Sequence, residues 1–128
     1  MISIEVDPRP ADADLRELWL AAWGDRGPAD FGLVFSRSLG HLSAYDGARL
    51  VGFVNVAWDG GRHASMFDTA VHPQYQRRGI GSRLVRGAVD LARERGAEWL
   101  HVDFEPHLSE FYRACGFRPT TAALIRLQ

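Results

Sequence analysis

Between residues 63 and 104 the spacing of apolar side chains changes from two residues to about 3.6 and back again, which restricts the fold more than anything else in the chain. Residues 63–71 alternate as a strand. Ile80, Leu84, Ala88 and Leu91 then recur at helical spacing, widened by Val85, Val89 and Ala92, while Arg86, Asp90 and Glu94 fall off the stripe. This predicts a helix over Gly79–Arg95, closed by Gly96. Residues 98–104 return to a strand. Strand, helix and strand in this order make a β-α-β unit, with its two strands parallel or nearly so in one sheet.

The segment before this unit reads as an antiparallel meander. Residues 41–45 and 49–58 form strands joined by Asp46-Gly47, and Asp59-Gly60-Gly61 turns the chain into residues 63–71. Earlier, Ile2, Ile4 and Val6 mark a short strand. Leu15, Leu18, Trp19, Ala22 and Trp23 mark a helix, with Asp14 and Glu17 as its capping box and Gly24 as its stop. A second short helix is expected from about Asp30 to Leu39, ended by Gly40. After the β-α-β unit, Pro106 opens a short helix bearing Leu108, Phe111, Tyr112 and Cys115, which Gly116 stops. Residues 121–127 read as a last strand. The expected architecture is α/β, a mixed sheet in the order β-α-α-β-β-β-α-β-α-β with helices on both faces. Its length of 128 residues suits a single domain over residues 1–128.

Composition removes several function classes. The formal net charge is −1, so a nucleic-acid role would need a local basic patch. All fifteen basic side chains are Arg, which excludes a Schiff-base lysine and a Walker-type phosphate lysine. Cys115 is the only cysteine, so no intrachain disulfide forms and a reducing cytoplasm is the expected location. Residues 1–8 lack the basic and apolar regions of a signal peptide, and no apolar run is long enough to span a bilayer.

The junction between strand 63–71 and the following helix carries the chemistry. In Val71-His72-Pro73-Gln74-Tyr75-Gln76-Arg77-Arg78-Gly79-Ile80-Gly81-Ser82, two glycines clear side chains from the backbone where a helix begins. The first turn of a helix offers unpaired N–H groups and the positive end of its dipole, which together favour an anion such as a phosphate. Arg77 and Arg78 add charge. Position 84 is Leu where a dinucleotide fingerprint needs a third Gly, and no Gly-Lys-Ser/Thr is present for a P-loop. On spacing alone, a plain glycine turn explains the segment equally well.

Asp68 to Leu84 resembles motif A of the GNAT superfamily of acetyltransferases, whose signature is Gln/Arg-x-x-Gly-x-Gly/Ala. Gln76, Gly79 and Gly81 match it position by position. Phe111-Tyr112-Arg113-Ala114-Cys115-Gly116-Phe117 is similar to the family's aromatic-Tyr-x-x-x-Gly-Phe motif. The motifs cover residues 68–118, and the element order agrees over the rest. The resemblance implies that acetyl-CoA is the acyl donor and lies where strand 63–71 splays from strand 98–104. It implies pantetheine contacts around Thr69, Ala70 and Val71, and the pyrophosphate on Gln76, Arg77, Arg78, Gly79, Ile80, Gly81 and Ser82. An amine acceptor, either a small molecule or a peptide or protein N-terminus, attacks the thioester directly.

The resemblance also implies roles for two side chains. Tyr112 becomes the general acid for the departing thiolate; its place on the apolar stripe suits a core aromatic as well. Asp68 becomes the first candidate for general base, ahead of His63 and Glu105, and suits a structural hydrogen-bonding Asp equally. Glu105 departs from the pattern, because the family often has Asn there; before Pro106 it is placed to cap a helix. No metal site is expected: His101, Asp103 and Glu105 alternate on one strand, but no Cys and no His-x-x-x-His helix supports them. Two alternatives stay open, a non-catalytic acyl-CoA sensor of the same fold and an RNA-binding module using the cluster from Arg77 to Arg86. Neither a nucleic-acid nor a membrane partner is expected, and a homodimer is compatible with the sequence.

Overall fold

The computed structural model describes residues 1–128. Five strands form one sheet in sequential order: β1 (Ile2–Val6), β2 (Ser38–Asp46), β3 (Arg49–Trp58), β4 (His63–Val71) and β5 (Trp99–His101). The first four are antiparallel, and β4 and β5 are parallel. The crossover between β4 and β5 is α3 (Ile80–Glu94), as the change of periodicity requires. The meander pairs through Asp46↔Arg49 at the first turn and Trp58↔Ala64 at the second, the positions that the two Asp-Gly turns mark.

Each face of the sheet has its own core. Leu42, Ala44, Val54, Val56, Ala64 and Met66 pack against Ile80, Leu84, Val85, Ala88 and Leu91 of α3, joined by Tyr112 of α4 (Ser109–Ala114). The opposite face packs Phe53, Leu50 and Ala70 against Leu15, Leu18 and Trp19 of α1 (Asp12–Trp23) and Phe31 of α2 (Phe31–Ser36). Helices therefore cover both faces. Close packing shows where side chains are absent: a Cβ on Gly87 of α3 would lie 2.5 Å from Leu42 Cδ2.

Four local expectations need correction. The helix α1 starts at Asp12 with Ala11 at its N-cap and no side-chain cap bond, so Asp14 and Glu17 do not form the capping box. The second helix ends at Ser36, because β2 captures Ser38–Asp46 and carries Gly40 inside it, paired with Val56. A side chain at position 40 would collide with Leu91 and Arg95 of α3, which explains the glycine there without a helix stop. Strand 98–104 is reduced to Trp99–His101. Residues 121–127 form no strand: they run irregularly and exposed, with Leu124, Ile125 and Leu127 unburied.

Candidate active site

The site follows from how β4 and β5 part. They share three register pairs, His63↔Trp99, Ala64↔Leu100 and Ser65↔His101, after which β5 ends. β4 continues to Val71, paired with β3 alone. Its register against β3 shifts between Phe53↔Ala70 and Asn55↔Phe67, so β4 contains a bulge. Asp68 sits in that bulge with φ 61°, a left-handed conformation that Asp tolerates better than most residues. The extra residue changes the phase of alternation. Ala64 and Met66 face α3, whereas Ala70 faces α1.

The parting strands open a cleft of about 1430 Å³, lined on one side by Ser65–Thr69 and on the other by Leu100–Glu105. Tyr112 stands in its wall. Its ring is buried at 5% exposure, stacks on Phe104 at 4.6 Å and meets Phe111 and Phe117 edge-on. Burial raises the pKa of its hydroxyl, and the Thr69 side chain partly offsets this. Tyr112 is thus a core aromatic that lines the cleft, and burial favours the protonated form of its hydroxyl. Asp68 also lines the cleft. Part of this residue is open to the cleft, yet surrounding protein atoms desolvate its carboxyl and raise its pKa, and the like charge of Asp25 raises it further.

Beyond β4 the chain builds the start of α3. His72 Nδ1 accepts the N–H of Gln74, which closes a single turn over Pro73–Tyr75. Tyr75 is buried and donates to Asp46 Oδ2 at 2.5 Å. Gln76 donates to the Val71 carbonyl, and Arg78 lies over the Tyr75 ring. Arg77 (φ 65°) and Gly79 (φ 79°) both adopt left-handed conformations, which turn the backbone into the helix. The first helical bond runs from Arg83 N–H to the Gly79 carbonyl, so the N–H groups of Ile80, Gly81 and Ser82 precede the repeating ladder. Gly81 leaves the helix start open: a Cβ there would meet Phe111 at 3.5 Å and Val71 at 3.8 Å, ordinary contact distances, so only a larger side chain would fill the space. Residues 76–82 lie outside the lining of the wide cleft and adjoin it through Phe111, the neighbour of Tyr112.

The remaining candidates fall into place differently. Glu105 holds the N-cap position before Pro106, but its side chain makes no cap bond; its carbonyl accepts from Leu108. His101, Asp103 and Glu105 do not come together as a group of three that could hold a metal ion. His63 is bonded to His101, Nδ1 to Nε2 at 2.7 Å, a contact between strands that sequence spacing did not reveal. His72 serves the turn and touches Arg49. No helix is long and apolar enough to cross a membrane.

The model of the acetyltransferase (GNAT) family matches residues 5–117. The chain belongs to this family. Among curated GNAT relatives, the mycothiol acetyltransferase of Mycolicibacterium vanbaalenii is 35% identical over 97 residues, covering 72% of this chain and 32% of that protein. The chain therefore spans about a third of the length of that relative. An uncharacterized N-acetyltransferase of Porphyra purpurea is 32% identical over 69 residues, covering 54% of this chain and 40% of that one. A GNAT-family protein from Streptococcus pneumoniae shares the fold with a TM-score of 0.79, 28% identity and full coverage of both chains. The aminoglycoside acetyltransferase AAC(6')-Iy, solved with a CoA-linked bisubstrate analogue, shares the GNAT fold at a TM-score of 0.77 and 16% identity, over 100% of this chain and 98% of that one.

Proposed function

We propose that the chain is an N-acetyltransferase that moves an acetyl group from acetyl-CoA directly to a primary amine, on a small molecule or at a peptide N-terminus. The observation that carries this reading is the cleft between β4 and β5, where a protonated tyrosine and a raised-pKa carboxyl line one opening. The reading takes residues 1–128 as one catalytic domain. The lone cysteine suits action in a reducing cytoplasm.

In this scheme the pyrophosphate of acetyl-CoA rests on the N–H groups from Arg77 to Ser82, with Gln76 shaping the loop. The pantetheine follows the backbone of Thr69, Ala70 and Val71 into the cleft. Asp68 takes a proton from the acceptor ammonium, a task its desolvated carboxyl suits because a raised pKa makes it a better base. The freed amine nitrogen attacks the thioester carbonyl carbon. A backbone N–H near Ala70 or Val71 meets the developing oxyanion. The carbon–sulfur bond then breaks, the Tyr112 hydroxyl gives its proton to the thiolate, and the second proton of the attacking nitrogen, released as the amide forms, restores the tyrosine hydroxyl.

The test measures acetyl transfer from acetyl-CoA across an amine panel, with Tyr112→Phe beside the parent. The phenylalanine keeps the stack on Phe104 and removes only the donor. Turnover is expected to fall by about 10²- to 10⁴-fold with acetyl-CoA affinity nearly kept, the usual contribution of general acid catalysis. Binding of acetyl-CoA without transfer to any amine would favour a sensor of the same fold. Retention of RNA that acetyl-CoA does not displace would favour the Arg77–Arg86 surface as an RNA site.

A further inference from the structure

Only three register pairs hold β5 to the sheet, against eight between β2 and β3. Two side-chain contacts reinforce this short junction. At its start, Arg62 and Glu98 form a bidentate pair at 2.5 and 3.1 Å, beside Glu98 and Trp99 N–H bonds to the Arg62 carbonyl. Along it, His63 Nδ1 of the first pair and His101 Nε2 of the last lie 2.7 Å apart. His101 belongs to the Ser65↔His101 pair, the last before the strands part, and it lines the cleft. Three residues further on, Phe104 carries the ring on which Tyr112 stacks.

We propose that His63 and His101 are positioning residues for the transfer reaction: their mutual hydrogen bond ties the last β4–β5 rung back to the first and thereby steadies the wall that orients Tyr112. This rests on the reading of the cleft as the site of acetyl transfer. The bond needs one nitrogen carrying a proton and one presenting a lone pair, so a single proton lies between the rings. Removing either ring leaves the last rung to its backbone pairing alone, and the segment from Leu100 to Phe104 gains freedom to shift.

The experiment combines amide hydrogen exchange over residues 100–104 with kcat and KM for acetyl-CoA. It uses the parent, His63→Ala, His101→Ala, the double variant and His101→Gln. Each alanine variant should speed exchange in this segment and lower kcat about five- to tenfold, the worth of one hydrogen bond between side chains. The double variant should be no worse than either single one, because both remove the same contact. His101→Gln, whose amide can donate to His63 Nδ1, should recover most of the rate. Additive losses in the double variant, unchanged exchange in both single variants, or a glutamine variant as impaired as the alanine one would overturn the proposal. If the parent transfers no acetyl group, the acetyltransferase reading fails, and the exchange measurements still decide whether the pair holds the rung.

Discussion

The two sides of β4 are built differently. Toward β3, β4 pairs along nearly its whole length, from Trp58↔Ala64 to Gly52↔Val71, and α3 covers the join with Ile80, Leu84 and Ala88. Toward β5 it pairs for three residues and then opens. One edge satisfies its backbone within the sheet, and the other leaves strand backbone facing a cleft. A fully paired sheet would have no room for an extended ligand at this point. The bulge at Asp68 and the early end of β5 make that room, and the tightly paired β2–β3–β4 side holds the framework while the other side stays open.

The largest effect that would break this contrast comes from the rim of the open side. Gly81→Glu places a carboxylate at the first turn of α3, where an anion is expected to sit. Its Cβ would meet Phe111 at an ordinary contact distance, so the fold is expected to survive. Acetyl-CoA at about 100 times its dissociation constant should stabilise the parent by roughly 2.7 kcal/mol, and this gain should vanish in the variant. Gly81→Ala is the control and should keep most of it. Thermal melts with and without acetyl-CoA report the difference. A Gly81→Glu protein that melts as the parent does, with the full shift, would remove the anion site from the start of α3.

A smaller effect concerns Asp68, where function and stability oppose each other. Its pKa is raised in the fold, by burial and then by Asp25, so the folded state holds its proton to higher pH than the unfolded state. That proton's contribution is present below the unfolded value of about 3.9 and is lost as pH rises through the folded value. At neutral pH the ionised carboxyl therefore costs stability. Asn tolerates the same left-handed backbone, so Asp68→Asn should melt higher than the parent near pH 7 and lose transfer activity. The melting difference should shrink in acid, where both carry a neutral side chain. A variant that melts lower at neutral pH would mark Asp68 as a structural hydrogen-bonding residue instead.

The same contrast explains what could be read from the sequence. The paired side was legible because its strands are long and apolar and the two hairpins are joined by Asp-Gly turns; Arg49–Trp58 and His63–Val71 fall where the pattern put them. Helix α3 was legible for the same reason. Gly40 misled because a glycine that stops a helix and a glycine that admits Leu91 look alike in one dimension. The capping box at Asp14 and Glu17 misled because the helix starts earlier, at Asp12. For the site, the Gly79–Gly81 spacing marked the start of α3. The bulge at Asp68 had no sequence signal of its own, and the His63–His101 bond depends on a parallel register that composition does not encode.

The smallest effect is expected at the C-terminal segment, and its size decides how far the open side extends. Residues 121–127 alternate poorly but carry Leu124, Ile125 and Leu127, each about four-fifths exposed at 81%, 79% and 85%. A strand over these residues was expected from the sequence, and the structure instead leaves them without a ladder. Part of the segment, Ala122–Leu124, nevertheless borders the cleft, as does Thr120 just before it. An apolar side chain that stays in water contributes little when it is removed, so Leu124→Ser should change stability by less than about 0.5 kcal/mol. Leu84→Ala, at a fully buried position of α3, should cost about 2–5 kcal/mol in the same urea titration. The pair of values measures the two sides of the molecule on one scale. If Leu124→Ser instead costs more than about 1 kcal/mol, the segment buries that side chain in solution, and the cleft is narrower than the three-rung junction alone makes it.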